Sequence, residues 1–593
     1  MLSFVAILTS GAHVIQVTDF GATPGSLKDA TAAVTRSIES AKPGDTIHFP
    51  KGEYHFYREN GHKRELFLSN SDVVNPRHIS ILIENRKRLK IEGRGSRLVF
   101  HDRVMPLAVL GSQDIAFNGF TIDWDRPLMS QGSVRGFDSK GLTLEVDPKK
   151  YPYVIENDQL LFTDQTWKRR PWGWMEFNPQ SRGVEAGTGD SGFIDANISR
   201  SPVTELKPGL LHFALQSKRG PKVGNVLIIR HGTRDHAGAF IENSKNVTLS
   251  NTDFRHTSGL GVLAQYTENL TLTKVNIAPD PNSDRLFAGH DDAFHLSNCK
   301  GKILVDGCLF DGLMDDPINV HGTCIQTTEM ISNTTVRAKF MHDQSVGMKF
   351  ADPGDEVSFI DRGPMNPRGS RTVKSVKKIT NELVEVEFTS ALPDDFKVGD
   401  ALENLIWTPA LTVRNSVFGK VRARGLLIST PKKVLIENNI FRSSGAAIFV
   451  AGDSNGWYES GAVKDVTIRR NQFIDCNSSS YQFCDAVISI HPEVPAPGKI
   501  PYHRNIRILD NKFITFDPAI LWATSVDGLV FKGNTITAST TYPSYLGRKE
   551  GLTFINCQNV QVSGNTLDPK FTGRQVLVSG SHAGPAVISG WPK

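Results

Sequence analysis

The sequence predicts an all-β chain: a right-handed parallel β-helix with two inserted small β-barrel domains. Three observations lead there. A short strand ending in Asn-x-apolar recurs at 434–441, 466–473, 506–513, 529–536 and 560–567. Counted from Asn415, the steps to Asn439, Asn471, Asn511, Asn534 and Asn565 are 24, 32, 40, 23 and 31 residues, a short basic step with longer variants. Two stretches, 123–228 and 324–406, break this rhythm and finish alike, as Lys222-Val-Gly-Asn225-Val and Lys397-Val-Gly-Asp400-Ala.

Size fits that architecture. A chain of 593 residues is far beyond the length at which one compact core stops growing, whereas a solenoid lengthens one coil at a time. The 67 Lys and Arg against 62 Asp and Glu leave +5 with no basic block, which argues against a nucleic-acid partner. No stretch holds the roughly 18 apolar residues of a membrane span. The six cysteines form no CxxC or finger spacing, so neither a structural zinc nor a disulfide framework is expected. They read as buried thiols, with Cys476 and Cys484 placed to staple one loop as the alternative.

Residues 1–12 are a short apolar run ending in small residues. The run reads as the tail of a signal segment without its basic n-region, so a secreted or periplasmic protein is expected; the alternative is a first strand over 4–8. Residues 13–122 are expected to hold a cap and the first coils. An amphipathic helix from Ala30 to Ala41 would cover the apolar end of the solenoid, and this opening resembles that of the pectin-lyase-like β-helix families, polygalacturonases among them. Residues 123–228 form the first inserted barrel, 229–323 further coils, 324–406 the second barrel and 407–593 the C-terminal coils. Stretches as long as the two insertions would be unusual as bare loops. Within a coil strand, every second residue is apolar and points inward, while Arg, Lys, Glu and Thr point out. The repeated Asn is expected to take a left-handed turn and to bond to its counterparts along the axis.

The densest polar cluster lies between the two insertions. Gly289-His290-Asp291-Asp292-Ala-Phe-His295 is followed by Met314-Asp315-Asp316-Pro-Ile-Asn319-Val-His321. The acidic pairs are 24 residues apart, one coil, so they should stack about 5 Å apart on one outward face. Glycoside hydrolysis needs such a set: one carboxyl keeps a proton for the leaving oxygen while another activates water or attacks the sugar. Crowded carboxylates raise one another's proton affinity, so one stays protonated while its neighbour ionises. One Asp-Asp alone would read as a solvated turn or a calcium ligand. Two in coil register, with His290, His295 and His321 interspersed, argue for catalysis. A metal held by His290, His295 and His321 is the weaker reading, and no cofactor is expected.

Other residues suit a sugar subsite. Trp457 or Tyr458 could stack on a sugar face, Asp453 and Glu459 could accept its hydroxyls, and Arg422 and Arg424 could donate to it or orient a carboxylate. Packing for Trp457 and a solvated face for the arginines are the plainer alternatives. Gln265 and Glu268, counted one coil before Asp292, are expected on the same face. Asp291, His295, Asn319 and His321 complete the set.

These segments resemble glycoside hydrolase family 110. The residues that carry the likeness are Gln265-Tyr-Thr-Glu268-Asn, 291–295, 314–323, Arg422-Ala-Arg424-Gly-Leu-Leu-Ile-Ser and Asp453-Ser-Asn-Gly-Trp457-Tyr458-Glu459-Ser-Gly. The resemblance covers most of the chain, both insertions included. It implies an inverting exo-α-1,3-galactosidase acting on galactosylated glycans, of blood-group B type or linear. It also implies that Asp292, Asp315 and Asp316 are the catalytic carboxylates. Asp292 is expected as acid and the other two on the water side, the reverse assignment staying open, with Asp291 the weaker member of its pair. Two further readings stay open: a polygalacturonase-like hydrolase or polysaccharide lyase, and a non-catalytic glycan-binding adhesin. Association into a homodimer is also left open.

Overall fold

The computed structural model describes residues 13–190, 192–479, 485–544 and 547–591. Its frame is a parallel β-helix with two long walls. Along the first wall, Val262 pairs with Phe294, Phe294 with Ile318, Ile318 with Leu426 and Leu426 with Ile448. Along the second, Val247 pairs with Leu270, Leu270 with Ile303, Ile303 with Leu411 and Leu411 with Val434. Strict inward alternation puts Leu411 and Val413, then Val434 and Ile436, inside at equivalent heights. Phenylalanines stack up the interior: Phe310, Phe418, Phe441, Phe473 and Phe513 follow one another with ring centroids 4.3–5.1 Å apart.

The asparagine ladder exists, one residue away from where the spacing begins it. Asn439, Asn471, Asn511 and Asn534 each donate from Nδ2 to the Oδ1 of the next, ending on Asn565, at 3.0–3.1 Å. The rung below Asn439 is Ser416, whose N–H donates to Asn439 Oδ1. Asn415 instead turns outward to Asp306. The left-handed conformation belongs to the residue before each rung: Asn415, Asn438, Arg470, Asp510, Gly533 and Gly564 have φ of 53–68°. That residue makes the corner, which leaves the rung's amide free to point inward.

A helix at Thr31–Ser40 covers the first coil with Ala33, Val34 and Ile38. Both insertions leave and rejoin the frame at one height. The first is a seven-stranded antiparallel sheet, with a three-stranded sheet beside it, whose outgoing strand Met129–Asp138 pairs with its returning strand Val226–Arg230. The second is a closed six-stranded barrel in which Ile325 pairs with Leu402, around its own core of Val336, Val357, Phe359 and Val386. Leu107 can therefore pair with Ala239, and Ile318 with Leu426, despite the residues between them. The Cys476 thiol is buried and donates to the Phe441 carbonyl; Cys484, like residues 1–12, lies outside the described residues. Among the described residues, no helix is long and apolar enough to cross a membrane.

Candidate active site

The turn that enters each strand of the first wall carries the polar residues. Arg234 precedes the strand Ala239–Glu242, Asp291 and Asp292 precede Phe294–Ser297, Asp315 and Asp316 precede Ile318–Thr323, and Arg422 and Arg424 precede Leu426–Ser429. Parallel pairing continues into the turns. The Ala293 N–H donates to the Asp316 carbonyl at 2.9 Å, and the Ile318 N–H to the Gly425 carbonyl at 3.3 Å. Stacked turns thus bring Asp292, Asp316 and Arg424 together although 108 residues separate the last two. They face a cavity of about 130 Å³ also lined by Asn70, Asn319, Phe449, Trp457, Glu459 and His491.

One oxygen from each of Asp292, Asp315 and Asp316 lies within 4.8 Å of the others. Their partners differ. Asp315 accepts from Arg234 at 2.5 Å and faces Arg422 at 3.6 Å. Asp316 accepts both arms of the Arg424 fork, at 3.0 and 2.7 Å, and the Arg424 backbone N–H at 2.8 Å. Among the described residues no guanidinium is seen to bond Asp292, which faces His295 and takes a long bond from the Asp316 N–H. Burial, and then the charge on Asp315, push the Asp292 carboxyl well above the usual carboxylate range. Burial also pushes Asp316 up, to about 7, against the pull of Arg424. Two carboxyls this close favour sharing one proton, and their partners differ in which they favour. The donors around Asp316 favour its ionised form.

Hydrogen-bond bookkeeping reaches the same answer from the other side. His321 Nδ1 lies 2.9 Å from the Gly322 carbonyl, which can only accept, so that nitrogen carries hydrogen. His321 Nε2 meets His295 Nε2 at 2.9 Å, and His295 Nδ1 meets Asp292 Oδ2 at 2.8 Å. Burial, with His321 alongside, holds His295 well below its ordinary pKa, hence neutral. In its uncharged form the chain has one solution: His295 donates from Nε2 to His321, and its bare Nδ1 accepts a proton from Asp292. The carboxyl of Asp292 is then a hydrogen-bond donor.

The remaining residues sort themselves by contact. Glu459 lines the cavity, accepting from Asn70 at 2.8 Å and Asn319 at 3.4 Å, with His321 at 3.6 Å. Asn319 Oδ1 is buried and has no partner among the described residues. Asp291 is bonded to His290 and Arg234; burial raises its pKa, but those two charges outweigh burial and hold it well below normal. Arg422 is clamped on Asp190 from the first insertion. Trp457 lines the cavity, whereas Tyr458 is buried and donates to Gln326.

Three expectations need correcting. Asp453 accepts the backbone N–H groups of Asn455, Gly456, Trp457 and Tyr458, so although it lines the cavity its carboxylate is spent on shaping the Trp457 turn. Glu268 lies on the second wall, paired with Lys245 at 2.8 Å. Gln265 is on the first wall but bonds to Ser69 and Phe67, bracing the loop that carries Asn70. Both miscounts have one cause. The coil from Val262 to Phe294 spans 32 residues rather than 24, because 278–293 forms a long turn. Arg234, Asn70 and Asp190 were missed, as was His342, on which the Trp457 ring stacks. Arg234 occupies the same turn position as the aspartates, a signal visible in the coil register; Asn70 and Asp190 arrive from segments with no repeat to mark them.

A cation could bridge carboxylates at this spacing. The three guanidiniums already facing these aspartates supply positive charge there, and among the described residues the histidines form no comparable cluster.

Comparison with known proteins adds to this geometry. Residues 130–227 match the family described as GLAA-B beta-barrel domain I, 335–402 match GLAA-B beta-barrel domain II, and 405–585 match a right handed beta helix region. Alpha-1,3-galactosidase B of Bacteroides thetaiotaomicron is 42% identical over 577 residues, covering 96% of this chain and 93% of that protein. Alpha-1,3-galactosidase A of Bacteroides fragilis is 35% identical, covering 97% and 96%. Alpha-1,3-galactosidase B of Akkermansia muciniphila is 34% identical, covering 94% of this chain and 70% of its own length.

Proposed function

The chain belongs to the α-1,3-galactosidase family, and from that premise we propose that it removes terminal α-1,3-linked galactose from glycans by aspartate acid–base catalysis. The observation that carries the mechanism is the unlike surroundings of adjoining carboxyls: Asp292 meets His295 Nδ1 at 2.8 Å while Asp316 is gripped by the Arg424 fork, from which we assign the proton to Asp292 and the charge to Asp316. With galactose in the cavity, Asp292 gives its proton to the glycosidic oxygen as the C–O bond breaks. Asp316 takes a proton from the water that attacks the anomeric carbon. Asp315, held between Arg234 and Arg422, faces the positive charge that builds on the sugar ring. Asn319 Oδ1 and Glu459 offer acceptors to its hydroxyls, and the Trp457 ring forms one side.

Inversion follows from the family resemblance. Retention is the second reading, and one observation favours it. Carboxyl oxygens within 4.8 Å are closer than the roughly 6.5–9.5 Å that inverting enzymes usually leave for water. NMR of an α-1,3-linked digalactoside during cleavage decides between them: β-galactose appearing first means inversion, α-galactose means retention. No galactose from wild type, or full turnover by Asp316→Asn, would sink the proposal and return the lyase and adhesin readings.

Blood-group B-type and linear acceptors are both proposed substrates, compared directly by release of galactose from fucosylated and unfucosylated trisaccharides. Export to the periplasm or beyond, and a homodimer, are proposed with them; cell fractionation and light scattering test each.

A further inference from the structure

A second cleft, of about 720 Å³, adjoins the catalytic cavity and shares Arg234, Asp315 and Trp457 with it. Beyond those shared residues, both insertions contribute to its walls. Trp172 belongs to the first insertion and Gln344 to the second; Gln344 donates to Asp72 at 2.8 Å, tying the barrel to the loop that carries Asn70.

Two tryptophans line this cleft, each partly exposed and each held by contacts to its neighbours. Trp172 is 52% exposed. Its Nε1 donates to the Gly232 carbonyl at 2.7 Å, its N–H to the Arg230 carbonyl at 2.9 Å, and the Arg230 guanidinium sits 4.3 Å from its ring centroid. Trp457 is 45% exposed and stacks on His342 at 4.2 Å. Single exposed apolar residues are ordinary. Two rigid indoles facing one cleft beside a sugar-cleaving centre are not, because a flat apolar face held in place binds a sugar ring without ordering cost.

The cationic side chains in the cleft are matched internally: Arg230 faces Asp190, Arg234 faces Asp291 and Asp315, and Arg422 faces Asp190. The Asp72 carboxylate accepts from the Gln344 amide. A neutral ligand therefore meets guanidiniums already paired with carboxylates.

We propose that this cleft is the aglycone site, taking two or more neutral sugars on the reducing side of the scissile bond, with Trp172 as the platform that separates a glycan from a bare galactoside. The proposal rests on the galactosidase reading, and its test has an arm that does not need turnover. In the first arm, kcat/KM is measured for a galactose-terminated neutral tetrasaccharide and for α-galactosyl fluoride, which has almost no aglycone. In Trp172→Ala the ratio of the two should fall at least tenfold, through KM, and Trp172→Phe should restore most of it. An unchanged ratio overturns the proposal. In the second arm, the neutral trisaccharide left after cleavage is titrated calorimetrically into wild type and Trp172→Ala. Binding to wild type weakened at least tenfold by the substitution supports the aglycone site, whereas no binding to wild type overturns it. Wild type that binds the trisaccharide yet cleaves no galactoside would sink the galactosidase reading and leave the glycan cleft standing.

Discussion

The Nε2 atoms of His295 and His321 face each other at 2.9 Å, so one of them must carry the hydrogen between them. With both rings uncharged, the Gly322 carbonyl decides which, and the result propagates to Asp292. The carboxyl of Asp292 is also surrounded by Asp291, Asp315, Asp316, Arg234 and Glu459, and the histidine chain is what distinguishes it from its neighbours.

Replacing His295 by Leu tests that chain through pH dependence. Asp292 must be protonated to act as acid, so activity is full below its raised pKa and is lost as pH rises through it. A nitrogen that accepts from the neutral carboxyl raises that pKa further. Removing it should move the alkaline limb of the kcat/KM profile to lower pH. A limb that moves to higher pH would mean that His295 donates and that the proton assignment is reversed.

Arg424→Lys should lower kcat by about a hundredfold, the scale expected when a reacting group loses its alignment. A point charge cannot replace the two-armed grip on Asp316. As the water-activating group, Asp316 must be ionised, so activity falls as pH drops through its pKa of about 7. Weakening the fork raises that value and moves the acid limb upward; an unmoved limb counts against Asp316 as base.

Asn471→Ala should cost the fold about 2–4 kcal/mol. Its Oδ1 serves two donors on Asn439, and its Nδ2 serves the Ile436 carbonyl and Asn511. All four partners are buried and lose a bond at once. Denaturant unfolding monitored by circular dichroism reads the loss, and a change under 1 kcal/mol would mean the ladder contributes little.

His503 makes the fold acid-sensitive. Burial depresses its pKa to about 3, and its Nδ1 accepts from the Val463 N–H. The unfolded chain takes up a proton near 6.5 while the folded one refuses it. Stability is therefore full above that pH and falls as pH drops from 6.5 toward 3, by about 1.4 kcal/mol per unit. His503→Leu should flatten the slope of denaturation midpoint against pH over that window. Parallel slopes would show that the ring escapes protonation some other way.

Legibility in the sequence tracked the repeat. Between 407 and 567 the strand pattern and the asparagine recur, and even there the first rung was misplaced by one residue because Ser416 fills it. The aspartate pairs could be brought together because their coil has the basic length. One coil earlier, the long turn at 278–293 defeated the same arithmetic and sent Glu268 to the wrong face. Asn70 and Asp190 reach the site from outside the repeat, and alternation along strands says nothing about where such excursions return.

The way each insertion departs and rejoins at a single height has a consequence for how such enzymes diversify. In the mechanism proposed, the proton chemistry is set by the stacking of turns, while the proposed aglycone cleft is lined by Trp172 and Gln344 on the inserted modules. A module can be reshaped, lengthened or exchanged without disturbing the heights of Asp292, Asp316 and Arg424. What the protein cleaves and which glycan it accepts are therefore free to change separately.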